Sequence, residues 1–383
     1  MKLSVVEFQV LCHVTDEQQI DALNEADICG GYRFLMKQDS LPRAEDEERM
    51  SHYGLYPLHV VPDTGYHHSD WLYIELSVLY RAQDAYADHD PFDDIHVYSP
   101  AMNRDRLDVL QDMCSRVKRV LYVQQRRAFF FLLVLGDDAR LVRFDIAGIT
   151  ATKRFNYKAN PDNLTDLLSR FSCATADERG HDTSAHLIDP KGEIGKMMRG
   201  LGLRFPGESV ALGYFHASLD VSWSWWRLEI YDEVSSEIKP FAVGKPHYCS
   251  VDVFAHATRG YIALDLTTGH LVYLKDSWRP TGGMGSSVKE GAVLKILNEH
   301  HVPNIPTALC QGDLPGQVST SQDVAASSEV AHLGRTTSYV HYRFAMKEVG
   351  KPVDEFENGF QLISIIRDCV EGEYSALNYL TLR

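Results

Sequence analysis

Leu274-Lys275-Asp276-Ser277-Trp278-Arg279 closes the second of two short apolar runs, 261–266 and 271–274, that flank Thr267-Thr268-Gly269-His270. A four-residue turn with a glycine between two such runs reads as a β-hairpin. After a Gly/Ser-rich stretch, residues 289–298 read as a helix. Within it Glu290, Val293, Leu294 and Leu297 stand at i, i+3, i+4 and i+7, so a carboxylate lies on the stripe expected to face the core. An unpaired buried carboxylate is costly, and Lys275 on the preceding strand is the nearest cation to offset it. The competing reading is a surface lysine and a solvated glutamate. Spacing alone does not separate the two.

Further motifs follow in order along the chain. Upstream are Gln125-Arg126-Arg127, Phe155-Asn156-Tyr157 and Arg179-Gly180-His181-Asp182-Thr183. Downstream are Leu297-Asn298, Val302-Pro303-Asn304-Ile305-Pro306-Thr307, His341-Tyr342-Arg343 and Lys347-Glu348-Val349-Gly350-Lys351-Pro352. Together they resemble the fungal-type protein kinase family over roughly 71–370. The resemblance implies ATP-dependent Ser/Thr phosphoryl transfer, with Lys275 on the α- and β-phosphates and Glu290 as its helix partner. It places a glycine-rich loop at 255–260, where Ala255 and Ala257 replace two glycines and only Gly260 remains. A Cβ hinders the close backbone approach that glycine allows. Met346 falls at the back of the nucleotide pocket, Lys347, Glu348 and Val349 fall at the adenine hinge, and Tyr273 narrows the pocket from the lysine strand.

The family's H-R-D-x-x-x-x-N and D-F-G motifs supply the catalytic base and the Mg²⁺ ligands, and neither occurs in this sequence. The expectation is therefore a pseudokinase or a truncated product with no catalytic residue. ATP contact is expected to be weak, and Mg²⁺ is implied by the family alone because its ligands are absent. A non-catalytic protein-interaction module is the alternative, and in either case the protein substrate or partner is unknown.

The fold expected is α+β, with an N-terminal α/β domain at 1–205, a kinase-like small lobe at 206–349 and the start of a truncated large lobe at 350–383. A flexible insertion, rich in Ser, Thr, Ala and Gly, is expected at 311–337. In the N-terminal domain, 71–80 reads as a strand by its aromatic and β-branched content. Residues 104–125 read as a helix with Leu107, Leu110, Met113 and Val117 on one stripe. Strands follow at 128–135, 139–145 and 148–155, then a helix at 163–172, while 209–226 turns strand-like. In the large-lobe start, 360–370 reads as a helix with Leu362, Ile366 and Cys369 on one face. Pro62-Asp63 and Glu75-Leu76-Ser77 loosely match a metal-dependent nuclease pattern, but Ser77 stands where that pattern needs lysine. A degenerate nuclease-like fold fits better than a working Mg²⁺-dependent nuclease.

Composition bounds the partners. Across 383 residues the net charge is −15, which argues against nucleic acid or an anionic membrane. Seven cysteines without a C-x-x-C pair read as reduced thiols of a cytoplasmic or nuclear protein. No signal peptide is visible, and the longest apolar run, 128–135, is too short to span a bilayer.

Overall fold

The computed structural model describes residues 29–38, 51–60, 69–81, 90–92, 100–202, 208–220, 222–251, 253–254, 257–281, 288–327 and 337–381. The chain divides into two compact units. One comprises Met1–Thr183, Asp252–Phe254 and Thr320–Thr336, and the other Ser184–Val251, Ala255–Ser319 and Thr337–Arg383.

The first unit is built on a seven-stranded sheet ordered β1-β2-β3-β4-β5-β6, with β7 against β5. β1 (Tyr32–Gln38) and β2 (Ser51–Pro57) are antiparallel neighbours, and α1 (Ser69–Tyr73) leads into β3 (Leu76–Arg81). α2 (Pro100–Val123) then carries the chain to β4 (Ala128–Leu135), which runs parallel to β3. A parallel pair cannot be joined by a tight turn, and α2 is the crossover it needs. β5 (Asp138–Asp145), β6 (Gly148–Ala151) and β7 (Phe155–Asn156) return antiparallel, and α3 (Pro161–Cys173) follows. The continuous apolar run of β4 has the expected consequence: Phe129, Phe131, Leu132, Leu133 and Val134 are all buried.

Two local readings change. The first half of the strand expected at 71–80 is helix α1, because tertiary bonds override its β propensity: Gln124 Nε2 donates to the carbonyls of Trp71 at 2.6 Å and Ile74 at 3.1 Å. The buried stripe of α2 is Val109, Met113, Val117 and Val120, whereas Leu107 is 60% exposed. Met113 and Val117 of the expected stripe are buried, while Val109 and Val120 complete the face in place of Leu107 and Leu110.

The second unit holds β8 (Ala185–Ile188), α4 (Glu193–Arg199), α5 (Glu208–Ser218), β9 (Trp225–Asp232), β10 (Glu237–Val243), β11 (Tyr248–Val251), β12 (Ala257–Asp265) and β13 (Leu271–Thr281). It continues with α6 (Glu290–Glu299) and β14 (Ala308–Val318). After α7 (Ser321–Ser327), which belongs to the first unit, come β15 (Ser338–Met346) and α8 (Gly359–Thr381). The strand order is β14-β15-β13-β12-β10-β9-β8, with β11 paired to β12. The β12–β13 hairpin forms where the sequence places it: Gly269 adopts φ 71°, and the Asp265 carboxylate accepts the Thr267 N–H at 2.8 Å.

This sheet curls on itself. The Glu233 N–H donates to the Gln311 carbonyl at 3.0 Å, so the end of β9 meets β14. Gly312 permits that approach, since a Cβ there would lie 2.0 Å from the Tyr231 carbonyl oxygen. Enclosed are Leu228, Ile230, Phe241, Val243, Tyr261, Ala263, Val272, Leu274 and Ala345.

Four more expectations meet the structure here. The boundary expected around 203–208 falls largely on residues outside those described, but β8 and α4 upstream of it already belong to the second unit, because β8 pairs with β9. The segment expected to be strand-like from 209 begins as helix α5, whose Ala211 and Phe215, four apart, are buried on one face. Within the expected insertion at 311–337, residues up to 318 form β14 with Leu314 and Gln317 buried, and 321–327 form α7. The Thr320 and Ser321 N–H groups donate to Asp145 at 2.9 and 3.0 Å, inside the first unit. Residues 328–336 lie outside those described. On α8, the expected apolar face is displaced: Ile366 and Cys369 are exposed, while Leu362, Ile365 and Gly372 are more covered. Among the described residues no helix is long and apolar enough to cross a membrane.

Candidate functional site

Strand periodicity sorts the motif on β13 onto two faces. Lys275, Ser277 and Arg279 point to one, and Leu274, Asp276 and Trp278 to the other. Lys275 stands opposite Gly260 of β12 and Phe344 of β15. Its Nζ donates to Glu290 Oε2 at 2.6 Å and lies 5.8 Å from the centre of the Phe344 ring. The pair is at the surface, with side chains 30% and 52% exposed. This corrects the expectation of a buried Glu290. The face of α6 that touches the sheet is instead set by Gly291 and Leu297. The Gly291 N–H donates to the Tyr342 hydroxyl at 2.9 Å, and a Cβ there would come within 2.8 Å of Gln311 and of that hydroxyl. Glu290, one residue earlier, is thereby turned outward. Further along the same face Arg279 grips Asp313 through two bonds of 2.8 and 2.5 Å, and Lys289 bridges Glu233 and Asp313.

The other face carries the buried charges. Asp276 accepts from Arg343 Nε at 3.1 Å, bonds to His341 Nε2, and has Arg259 3.8 Å away. His341 Nδ1 meets Gln317 Oε1 at 2.6 Å, and its ring stacks on Trp278 with centroids 4.6 Å apart. Arg343 is fully buried and also donates to Ser184 Oγ and the Glu229 carbonyl. Burial pushes the Asp276 carboxyl upward, but the Arg343 guanidinium and the hydrogen bond to His341 outweigh it and hold the group well below the usual carboxylate range. This network joins the Lys-Asp-Ser-Trp-Arg and His-Tyr-Arg motifs. Sequence reading missed it, although the signal was present: Asp276 shares its strand face with Leu274 and Trp278, and Arg343 is flanked by Tyr342 and Phe344.

The expected nucleotide residues divide. Ala255 lies outside the described residues. Ala257 and Gly260 lie within β12, opposite Val251 and Tyr248 of β11, not in a loop. Gly260 serves packing: a Cβ there would sit 2.0 Å from the Tyr273 hydroxyl, so the tyrosine ring occupies the space the glycine leaves. Met346 ends β15 opposite Tyr273. The Lys347 N–H donates to the Thr307 carbonyl at 3.0 Å, and the Glu348 carboxylate accepts the Thr307 N–H and hydroxyl at 2.7 and 2.8 Å. Val349 packs against a cluster in which Ala211 and Phe215 of α5 meet Ile262, Leu264 and Leu271, with Tyr273 at its edge. The lysine and its glutamate suit a phosphate. The face expected to take adenine is covered by α5.

In the first unit, Glu75 is buried with Arg126 Nη2 at 3.0 Å, Arg179 Nε at 3.3 Å and His181 Nε2 at 2.8 Å. Burial raises the Glu75 carboxyl, and Arg126 and His181 overcome this to leave it strongly acidic; burial and Arg126 push the His181 imidazole below its ordinary value. The Gln-Arg-Arg and Arg-Gly-His motifs thus close on one carboxylate. A carboxylate held by two guanidiniums is not disposed as a nuclease metal ligand, Ser77 is buried in the strand, and Asp63 lies outside the described residues. Among the described residues no group of three or more His, Cys, Asp or Glu side chains is placed to hold a metal ion.

A curled antiparallel sheet whose strand lysine is ion-paired with a glutamate of the following helix defines a kinase-like α+β protein. The fungal protein kinase family model matches residues 76–322, well over half of the chain, and the chain belongs to that family. No curated protein and no solved structure matches it.

Proposed function

We propose that this chain provides the small-lobe half of a kinase nucleotide site, contacts ATP weakly through Lys275, and transfers no phosphate by itself. The observation that supports this reading is the 2.6 Å bond between Lys275 and Glu290 across β13 and α6. That pair positions an ammonium for phosphate oxygens, where a long, flexible point charge is needed. Phosphoryl transfer also requires a base and carboxylates for Mg²⁺, and the sequence contains neither the H-R-D nor the D-F-G motif. An interaction module that needs no nucleotide is the second reading, favoured by the packing of α5 over Tyr273 and Val349. A radiolabel-transfer assay on generic protein substrates, beside a thermal-shift titration with ATP with and without Mg²⁺, tests both. The expected result is no transfer above a Lys275→Met control and a small, Lys275-dependent, Mg²⁺-insensitive shift. Lys275-dependent transfer overturns the inactive reading, and a complete lack of response to ATP favours the interaction module.

A further inference from the structure

The covered face is a built feature of the second unit. α5 lies on β12 and β13, with Phe215 fully buried and Ala211 nearly so against Ile262, Leu264 and Leu271. Its C-terminal end is fixed where the Lys245 N–H donates to the Ser218 carbonyl at 2.8 Å, and Gly244 allows the approach because a Cβ would lie 2.3 Å from that oxygen. Its outer side reaches beyond the strands. The Tyr214 hydroxyl donates to the Glu355 carboxylate, in the short 3₁₀ turn Val353–Glu355 that follows Val349, and the Tyr214 ring lies 5.0 Å from that of His247. The helix therefore spans from the lysine strand to the segment just after the hinge. An adenine ring held by Lys347, Glu348 and Val349 against Tyr273 would need that same space. Lys275, by contrast, remains 30% exposed in its side chain beside the cover.

We propose that α5 is an intramolecular cover of the adenine face, latched by the Tyr214–Glu355 bond, and that ATP binds only the population in which α5 has left it. This rests on the nucleotide reading of the Lys275 face and adds its regulation. If the binding-competent state is a minor fraction, the apparent dissociation constant is raised by the inverse of that fraction. The latch is the accessible part, since both partners are at the surface and Phe215 is committed to the core.

The test uses the full chain and ATP itself. Calorimetric titration compares wild type, Tyr214→Phe, Glu355→Gln and Lys275→Met, and amide hydrogen exchange follows 208–218 with and without saturating ATP. Loosening the latch should tighten ATP binding about five-fold, because losing one hydrogen bond from the covered state raises the binding-competent fraction. ATP should speed exchange in 208–218, and Lys275→Met should abolish both effects. Lys275-dependent binding with unchanged or slower exchange in 208–218, and equal affinities for the latch variants, overturns the cover and leaves the nucleotide site intact. If neither wild type nor the latch variants bind ATP at millimolar concentration, the nucleotide reading fails and the cover falls with it.

Discussion

Asp276→Asn and Glu290→Ala, compared in one background, test which carboxylate supports the second unit. The Asp276 side chain is 3% exposed and faces Arg343 at 0%, with His341 at 5% and Arg259 at 13%. Removing its charge leaves a fully buried guanidinium without its main counter-ion, which costs about 3–5 kcal/mol. Glu290 is half exposed and Lys275 about a third. Solvent screens that pair, and its loss costs at most about 1 kcal/mol. For a body of this size the two costs correspond to melting-temperature drops of roughly 6–20 °C and under about 4 °C. Circular dichroism melts of the full chain measure both. Asp276→Glu serves as a second variant should Asp276→Asn fail to fold: it keeps the charge but adds a methylene to a packed site, for about 1–3 kcal/mol. A Glu290→Ala loss equal to or larger than those of both Asp276 variants refutes the assignment of the buried charge.

Gly260→Ala should cost about 1–3 kcal/mol by driving Tyr273 from its place, and in a urea-denaturation double-mutant cycle the Tyr273→Ala background should absorb most of that cost. Gly312→Ala meets the Tyr231 carbonyl, a backbone atom that no side-chain change can relieve, so the same cycle should show no rescue. Acid should destabilise both units. Asp276 and Glu75 have folded-state pKa values held below their unfolded ones, so their stabilisation is complete above about pH 5 and is lost as pH falls through the unfolded carboxylate range of about 4 and below. His181, held neutral by burial and Arg126, acts in the same direction, since protonating it as pH falls below its unfolded value near 6.5 favours the unfolded chain. Melting temperature measured from pH 7 to pH 3 should fall steadily, and a rise on acidification would contradict the buried network.

The sequence by itself determined the elements whose signals are local. The hairpin at Gly269, the buried strand β4 and helix α6 follow from period and turn chemistry within a few dozen residues, whereas spacing alone left the Lys275–Glu290 pairing open. It also carried the family, because ordered motifs survive in the linear chain. What the sequence could not decide was which side of each element faces inward. Glu290 looked buried because the stripe of Val293, Leu294 and Leu297 passes through it, yet the contact made by Gly291 with Gln311 and Tyr342 rotates it into solvent. Nothing near Asp276 in the chain names its partner, and only the pairing of β13 with β15 puts Arg343 across from it. The segment 209–226 looked strand-like by composition, and only the apolar surface of β12 and β13 selects the helix that covers them. Burial belongs to the partner as much as to the residue, and here the partners lie on strands and helices far apart in the chain.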